Sequence, residues 1–212
     1  MFVKSISRLT FLICRNMASC IGQIAGNIGL KCESPIDGGY TGRAILIPME
    51  AVPVLTKDAQ NPRIISDIKI ATEAHVVAVD NEGVSPFDGS TTTGNNDAGY
   101  FRFVKTAAVR LPERGADFAA KVVEPLVKSG RGFIGVFEKK DRIGDGSFEV
   151  IGAQSPLKCV DPATVTRNEN ENGGAWNATL QSTEVYAESV FFDTDYAKTL
   201  AAFEVLLARA FA

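Results

Sequence analysis

The stretch from Arg131 to Phe192 constrains this chain most, because it reads as a row of extended segments separated by polar turns. GFIGVFEKKDRIGDGSFEVIG has the pattern of a β-hairpin: Phe133 to Phe137, a charged, glycine-containing loop, then Phe148 to Ile151. NENENGGAWNATLQSTEVYAESVFFD supplies a further long strand. In it Trp176, Ala178 and Leu180 alternate with Asn177, Thr179 and Gln181, whereas beyond Thr183 both faces turn partly apolar through Val185, Tyr186, Val190, Phe191 and Phe192. A strand that changes its buried face midway implies a bulge or a passage between two packed sheets. The expected fold is therefore mainly β, a sandwich or barrel, and the segment brings together no catalytic set.

Other strands follow from alternation. Arg43 to Met49 (RAILIPM) is the first, closed by Pro48. Ile64 to Ile70 places Ile64, Ile68 and Ile70 on one face with Asp67 and Lys69 opposite, and His75 to Val79 is expected to pair with it. Asn81 to Gly99 has no apolar periodicity and reads as a mobile loop. Tyr100 to Leu111 forms a long strand with Phe101, Phe103, Ala107, Val109 and Leu111 on one face and Arg102, Thr106 and Arg110 on the other; only Lys105 breaks the apolar face.

Two segments change period. Phe118, Val122 and Leu126 are spaced by four and predict a short helix near 115–128, which Pro125 should end or kink. Tyr196, Leu200, Phe203, Leu207 and Phe211 form the stripe of a C-terminal helix near 194–210, capped by Asp193 or Thr194. Core packing is the expected use of that stripe. Residues 43–212 thus read as a single β-sandwich domain with flanking helices.

A chain of 212 residues, 45% hydrophobic and 22% charged, can bury a core without metal or disulfide staples. A net charge of -3 and pI near 5.3 give no basic footprint for sequence-specific nucleic-acid binding. Cys14, Cys20, Cys32 and Cys159 contain no CxxC pair, and His75 is the one histidine available to complete a zinc site, so free thiols are expected and no metal. Cys20 and Cys32 would pair only in a secreted protein.

Residues 1–16 carry Lys4 and Arg8 before Leu9 to Cys14, a run too short for an export signal or a membrane span. They read as an extension or a mis-called start, with Met17 as the native beginning. Met17-Ala18-Ser19-Cys20 has the outline of a lipoprotein cleavage box, but Arg15 interrupts the apolar run such a signal needs. Residues 17–42 form a Gly-rich arm able to lie against a neighbouring subunit. Gly22, Gly26 and Gly29 lack the strand before and βαβ unit after that would make a dinucleotide site, so no cofactor is expected.

The remaining chemical candidates are weak. His75 has no Ser, Cys or carboxylate at motif spacing. Arg102 and Arg110 could touch phosphate but suit a solvated face. KDRIGDGSFE lacks EF-hand spacing, and Asn168 to Gly174 could bind calcium only weakly. Asn177-Ala178-Thr179 is a formal glycosylation sequon inside a strand, and Glu184 and Glu188 read as same-face strand neighbours. No catalytic, cofactor or metal residue is assigned, and the chain is not expected to be an enzyme.

The run from GRGFIGVFEKKDRIGDGSFEVIGAQSPLKCV through GGAWNATLQSTEVYAESVFFDTDYAKTLAAFEVLL resembles tail-tube-like (major tail) virion proteins of tailed bacteriophages and prophages of Bacteroidetes hosts. MASCIGQIAGNIGLKC is similar to the start of such proteins. The likeness covers the C-terminal two thirds and rests on texture: a long hairpin, an FEVIG strand, a Gly-Gly-Ala-Trp strand entry and a helix after FFDTDY. It implies a β-sandwich subunit that forms homo-oligomeric rings, usually hexameric, which meet other tail proteins and stack into a tube. DNA would transit without specific binding, no membrane would be involved, and the protein would assemble in the host cytoplasm and reside in the virion tail. On this reading the Val136 to Ser147 hairpin or the Tyr100 to Leu111 strand faces the lumen, and Asn81 to Gly99 contacts the next ring. A head–tail connector or baseplate ring protein is the nearest alternative. A secreted or lipidated adhesin-like β-sandwich and a hydrolase built around His75 are the others.

Overall fold

The computed structural model describes residues 38–79, 87–97, 100–111, 113–142, 144–159, 165–167 and 174–210. The expectations for 1–16, for 17–37 of the Gly-rich arm, for Asn168 to Gly173 and for Phe211 lie outside them. In chain order the strands are β1 (Tyr40–Pro48), β2 (Val54–Lys57), β3 (Ile64–Lys69), β4 (Val77–Val79), β5 (Phe87–Asp97), β6 (Tyr100–Leu111), β7 (Phe133–Lys139), β8 (Phe148–Ile151), β9 (Lys158–Cys159), β10 (Val165–Arg167), β11 (Trp176–Glu184) and β12 (Val190–Phe191). The α segments are α1 (Ala116–Phe118), α2 (Glu124–Lys128) and α3 (Tyr196–Ala208).

The fold is mainly β, in two sheets. One sheet has seven strands in the order β2-β3-β12-β8-β7-β1-β4; the other has five, β10-β11-β6-β5 with β9 also against β11. Leu46, Phe137 and Ile151 of the first sheet meet Ala107, Val109, Ala178 and Leu180 of the second, with Val123 and Leu126 closing the core. On the far side of the seven-stranded sheet, Ile45, Ile47, Val136, Phe148 and Val150 pack against Phe203, Leu206 and Leu207 of α3. That sheet is covered on both faces, which explains why β1, β7 and β8 contain consecutive buried residues and do not simply alternate. The α3 stripe is core packing, as expected for Phe203 and Leu207.

The face change after Thr183 is a passage between sheets: β11 ends at Glu184 in the five-stranded sheet and β12 joins β3 and β8 in the other. The β7–β8 hairpin pairs Gly135 with Ile151 and Glu138 with Phe148.

Several expectations are corrected. β4 pairs with β1 (Ala44 opposite Val79), not with β3, because both edges of β3 are taken by β2 and β12. In β3 the buried residues are Ile65 and Ile68, since a register shift opposite Thr56 and Lys57 breaks the strict alternation. The supposed loop from Asn81 to Gly99 contains β5, eleven residues long, paired with β6 from Phe87–Val109 to Asp97–Tyr100. Pairing to a strongly patterned partner decides this state, and the Thr91–Thr93 run fits it. Pro125 does not end the first helix, which continues to Lys128. A wide π turn, Ala119–Val123, directly precedes α2, so Pro125 falls in a first turn where its missing N–H is tolerated. The cap of α3 is Asp195, whose Oδ1 accepts the Lys198 N–H at 2.8 Å, and neither Asp193 nor Thr194 takes that place.

Candidate functional site

Lys105, the residue that breaks the apolar face of β6, points between the sheets and is fully buried. A buried ammonium without partners is prohibitively costly, so the fold must supply carboxylates. It supplies two. Glu149 of β8 puts Oε1 3.4 Å from Lys105 Nζ, and Glu184, the last residue of β11, puts Oε2 3.5 Å from the same nitrogen. Glu184 is fully buried and Glu149 nearly so.

Each carboxylate is oriented by its other oxygen. Glu184 Oε1 accepts the backbone N–H of Gly152 at 2.7 Å and of Ala153 at 3.1 Å. Gly152 sits at φ 94, where a Cβ would meet the Phe133 carbonyl oxygen at 2.5 Å, so this turn needs glycine. Glu149 Oε2 accepts the Tyr40 hydroxyl and lies 3.7 Å from Lys139 Nζ, which also bonds Glu188 at the surface. A cleft of 370 Å³ lined by Gly39, Tyr40, Lys139 and Glu188 opens at this end of the cluster.

A second network ties β1, β7 and α3 on the other face of the seven-stranded sheet. Glu138 Oε2 accepts from Thr41 Oγ1 at 2.9 Å and Arg43 Nε at 2.8 Å, and Tyr196 donates its hydroxyl to Oε1 at 3.3 Å. Arg43 reaches Glu204 at 2.7 Å and lies over the Phe203 ring. Burial lowers the basicity of Arg43, but hydrogen bonds and charge from Glu138 and Glu204 outweigh it, and its pKa is raised. The Tyr196 phenol is raised, first by burial and then by the Glu138 charge.

The surface candidate is β5. It is the edge of its sheet, and Thr91 to Gly94 are exposed. The hairpin overshoots the sheet, because β11 pairs with β6 only over Phe103–Leu111 and the pairs beyond are made by β5 alone. Phe101 stands over Gly94 near this end and is 56% exposed.

The residues singled out from sequence are scattered. His75 is exposed in the segment before β4. Cys159 is half-buried, its Sγ 3.7 Å from the Leu126 carbonyl oxygen. Asn177 lies mid-strand, paired to both β6 and β10, and Arg102 and Arg110 are on β6. Glu184 and Glu188 are not same-face neighbours: β11 ends at Glu184, which turns inward, and Glu188 is exposed beyond it. The ionic cluster was missed although its signal was present: Lys105, Glu138, Glu149 and Glu184 each place a charge at an inward or doubly covered strand position. Among the described residues no group of three His, Cys, Asp or Glu is arranged to hold a metal ion, and no helix is long and apolar enough to cross a membrane. No family model, curated protein or solved structure matches the chain.

Proposed function

We propose that the chain is a structural virion protein that assembles into stacked rings forming a phage tail tube for DNA passage, with the β5–β6 hairpin as the joint between subunits. The observation that carries this reading is the β5 edge. It is eleven residues long, and its Gly89 to Asn96 stretch holds no charged residue. Proteins that stay monomeric blunt such edges with lysine, proline, bulges or short strands, and β5 has only the irregularity between Phe87 and Gly89. A neighbouring copy that presents its β9–β10 side to β5 would continue the five-stranded sheet from subunit to subunit. That contact is head-to-tail and closes into a ring when the rotation per subunit divides a full turn.

The face of this sheet turned away from the core carries Thr106, Thr179, Gln181 and Thr183, with Val104 and Ala108 among them, around Arg102 and Arg110. A lining of mostly uncharged groups with sparse arginines suits a duplex that must slide. The Val136 to Ser147 hairpin is a poor lumen candidate, because β7 lies between β1 and β8 and is covered on both faces. Residues 87–97 serve in this reading as the lateral joint and not as a loop toward the next ring.

Negative-stain microscopy of the purified chain tests the proposal. Rings or tubes are expected, and the double variant Thr91→Lys/Thr93→Lys should keep the circular-dichroism spectrum while abolishing them. Wild-type protein that sediments as a monomer at high concentration would sink the idea. Rings that never stack would favour the connector or baseplate role.

A further inference from the structure

We propose that Lys105 and Glu184 join in an intramolecular amide bond that the folded protein closes on itself. The four parts such a reaction needs meet around one nitrogen. The nucleophile is Lys105 Nζ, held in a fully buried site. The electrophile is the Glu184 carboxyl group, whose Oε1 sits against the Gly152 and Ala153 N–H groups at 2.7 and 3.1 Å. Two backbone donors on one oxygen are the arrangement that stabilises a tetrahedral oxyanion. The third part is the leaving oxygen, Glu184 Oε2, which is buried, accepts no hydrogen bond from the described residues and lies 3.5 Å from Nζ. The fourth is a proton carrier, Glu149, whose Oε1 is 3.4 Å from Nζ and whose Oε2 is fixed by the Tyr40 hydroxyl.

The step balances without an added reagent. The ammonium passes a proton to Glu149, which hands it to Oε2 of Glu184, and Nζ then attacks Cδ of the neutral carboxyl group to form the N–C bond, with the negative charge on Oε1. Glu149 takes a second proton from the attacking nitrogen and delivers it to Oε2, which leaves as water when the C–O bond breaks. Three protons of the ammonium end as one on the amide and two on the water, and Glu149 is ionised again. Nothing is oxidised or reduced.

Holding the reactants in a dry site at van der Waals range supplies the effective concentration that an amine and a carboxyl group lack in bulk water. Exclusion of water also protects the product from hydrolysis. Conversion of two buried charges to one neutral amide removes a desolvation cost that an ion pair retains. The released water would leave past Tyr40 and Lys139, which touch Glu149 Oε2 on one side and line a surface cleft on the other. The bond would lock β6 to β11 at the base of the overshooting hairpin. It does not depend on the assembly proposed above.

Intact-mass spectrometry of the denatured full chain tests this, with Lys105→Arg prepared in parallel so that processing of the N-terminus cancels. Wild type is expected lighter by one water than its sequence, with the loss mapped to a branched peptide that joins Lys105 to Glu184. Glu149→Gln is expected to show the full mass. A wild-type chain at full mass overturns the proposal and leaves an ordinary buried ion triad. A water loss that persists in Lys105→Arg, or a branch that ends on Glu149, overturns it as well.

Discussion

Removal of Glu138 should be far more damaging than neutralising it, and the difference can be worked from its three donors. The carboxylate is 2% exposed and receives Thr41 Oγ1, Arg43 Nε and Tyr196 Oη. Glu138→Ala strands all three and leaves Arg43, itself only partly exposed, with Glu204 as its remaining partner. Breaking a buried ionic network from one side costs about 3–5 kcal/mol. Glu138→Gln keeps the shape: its amide oxygen can occupy the Oε2 position to accept from Thr41 and Arg43, and its NH₂ can donate to the Tyr196 oxygen. Only the charge is lost. Charge-assisted bonds are roughly twice as strong as neutral ones, so the expected cost is about 1–2 kcal/mol. The exposed partner Glu204 should cost under about 1 kcal/mol on change to Ala. Urea unfolding of the three variants at constant m-value measures this series. Equal losses for Glu138→Ala and Glu138→Gln would refute the argument, because they would mean that the charge and not the satisfied donors sets the stability.

The same network fixes a pH response. Tyr196 titrates above its ordinary value of 10.0, chiefly through burial and secondarily through Glu138. Its contribution to stability is therefore complete below the pKa of the unfolded phenol and is lost as pH rises through the folded value. A difference absorbance titration of wild type against Tyr196→Phe reads the folded value directly. In Glu138→Gln it should move down but not return to the ordinary value, since burial persists. The Cys159 thiol is likewise raised by burial, so its reaction with Ellman's reagent near pH 8, in a chain with Cys14, Cys20 and Cys32 changed to Ser, should be slow until urea unfolds the protein; a rate already equal to the unfolded one would contradict it. Val52 has φ 48 and is 65% exposed. The left-handed conformation costs an L-residue about 1–2 kcal/mol and glycine's chain entropy returns about half, so Val52→Gly should raise stability by about 0.5–1 kcal/mol; a lower melting temperature would count against this. Phe203→Ala opens a cavity beneath Phe148 and should cost about 3–5 kcal/mol by chemical denaturation, with a loss under 1 as the contrary result.

Much of the fold was legible because its elements carry their own periods. Tyr100–Leu111 keeps one apolar face that only Lys105 interrupts, the α3 stripe repeats at helical spacing, and the loss of alternation after Thr183 marks the crossing between sheets. What failed lacked a local signal. β5 is Thr-, Gly- and Asn-rich, with Thr91 to Gly94 exposed, so its sequence shows no apolar period, and its state is decided by pairing with β6. The partner of β4 is decided by which edges are free, a property of the completed sheet. Pro125 does not end the helix because the π turn before it, which no residue preference for a helix end encodes, sets it in the first turn of α2.

The charge cluster lies between these cases. Lys105 is visible as an offence against the apolar face of β6, and a local choice that conflicts with the global pattern is retained only where a compensation exists. Sequence therefore demands a buried carboxylate for Lys105 but cannot say which, because Glu149 is 44 residues away and meets it only when the two sheets close. The demand can still be narrowed. A suitable partner must itself sit in an otherwise inward or fully apolar setting, which Glu149 does within Phe148–Ile151 and Glu184 does two positions beyond inward Ser182. Exposed carboxylates such as Glu188 fail that condition. Glu138 meets the same condition and pairs with Arg43 instead, so pattern shortens the list of acids without choosing among them, and the packed sheets add what pattern cannot: two backbone donors on Glu184 Oε1 and, among the described residues, none on its facing oxygen. That asymmetry between the two oxygens of one carboxylate is what separates a reactive arrangement from a static ion pair.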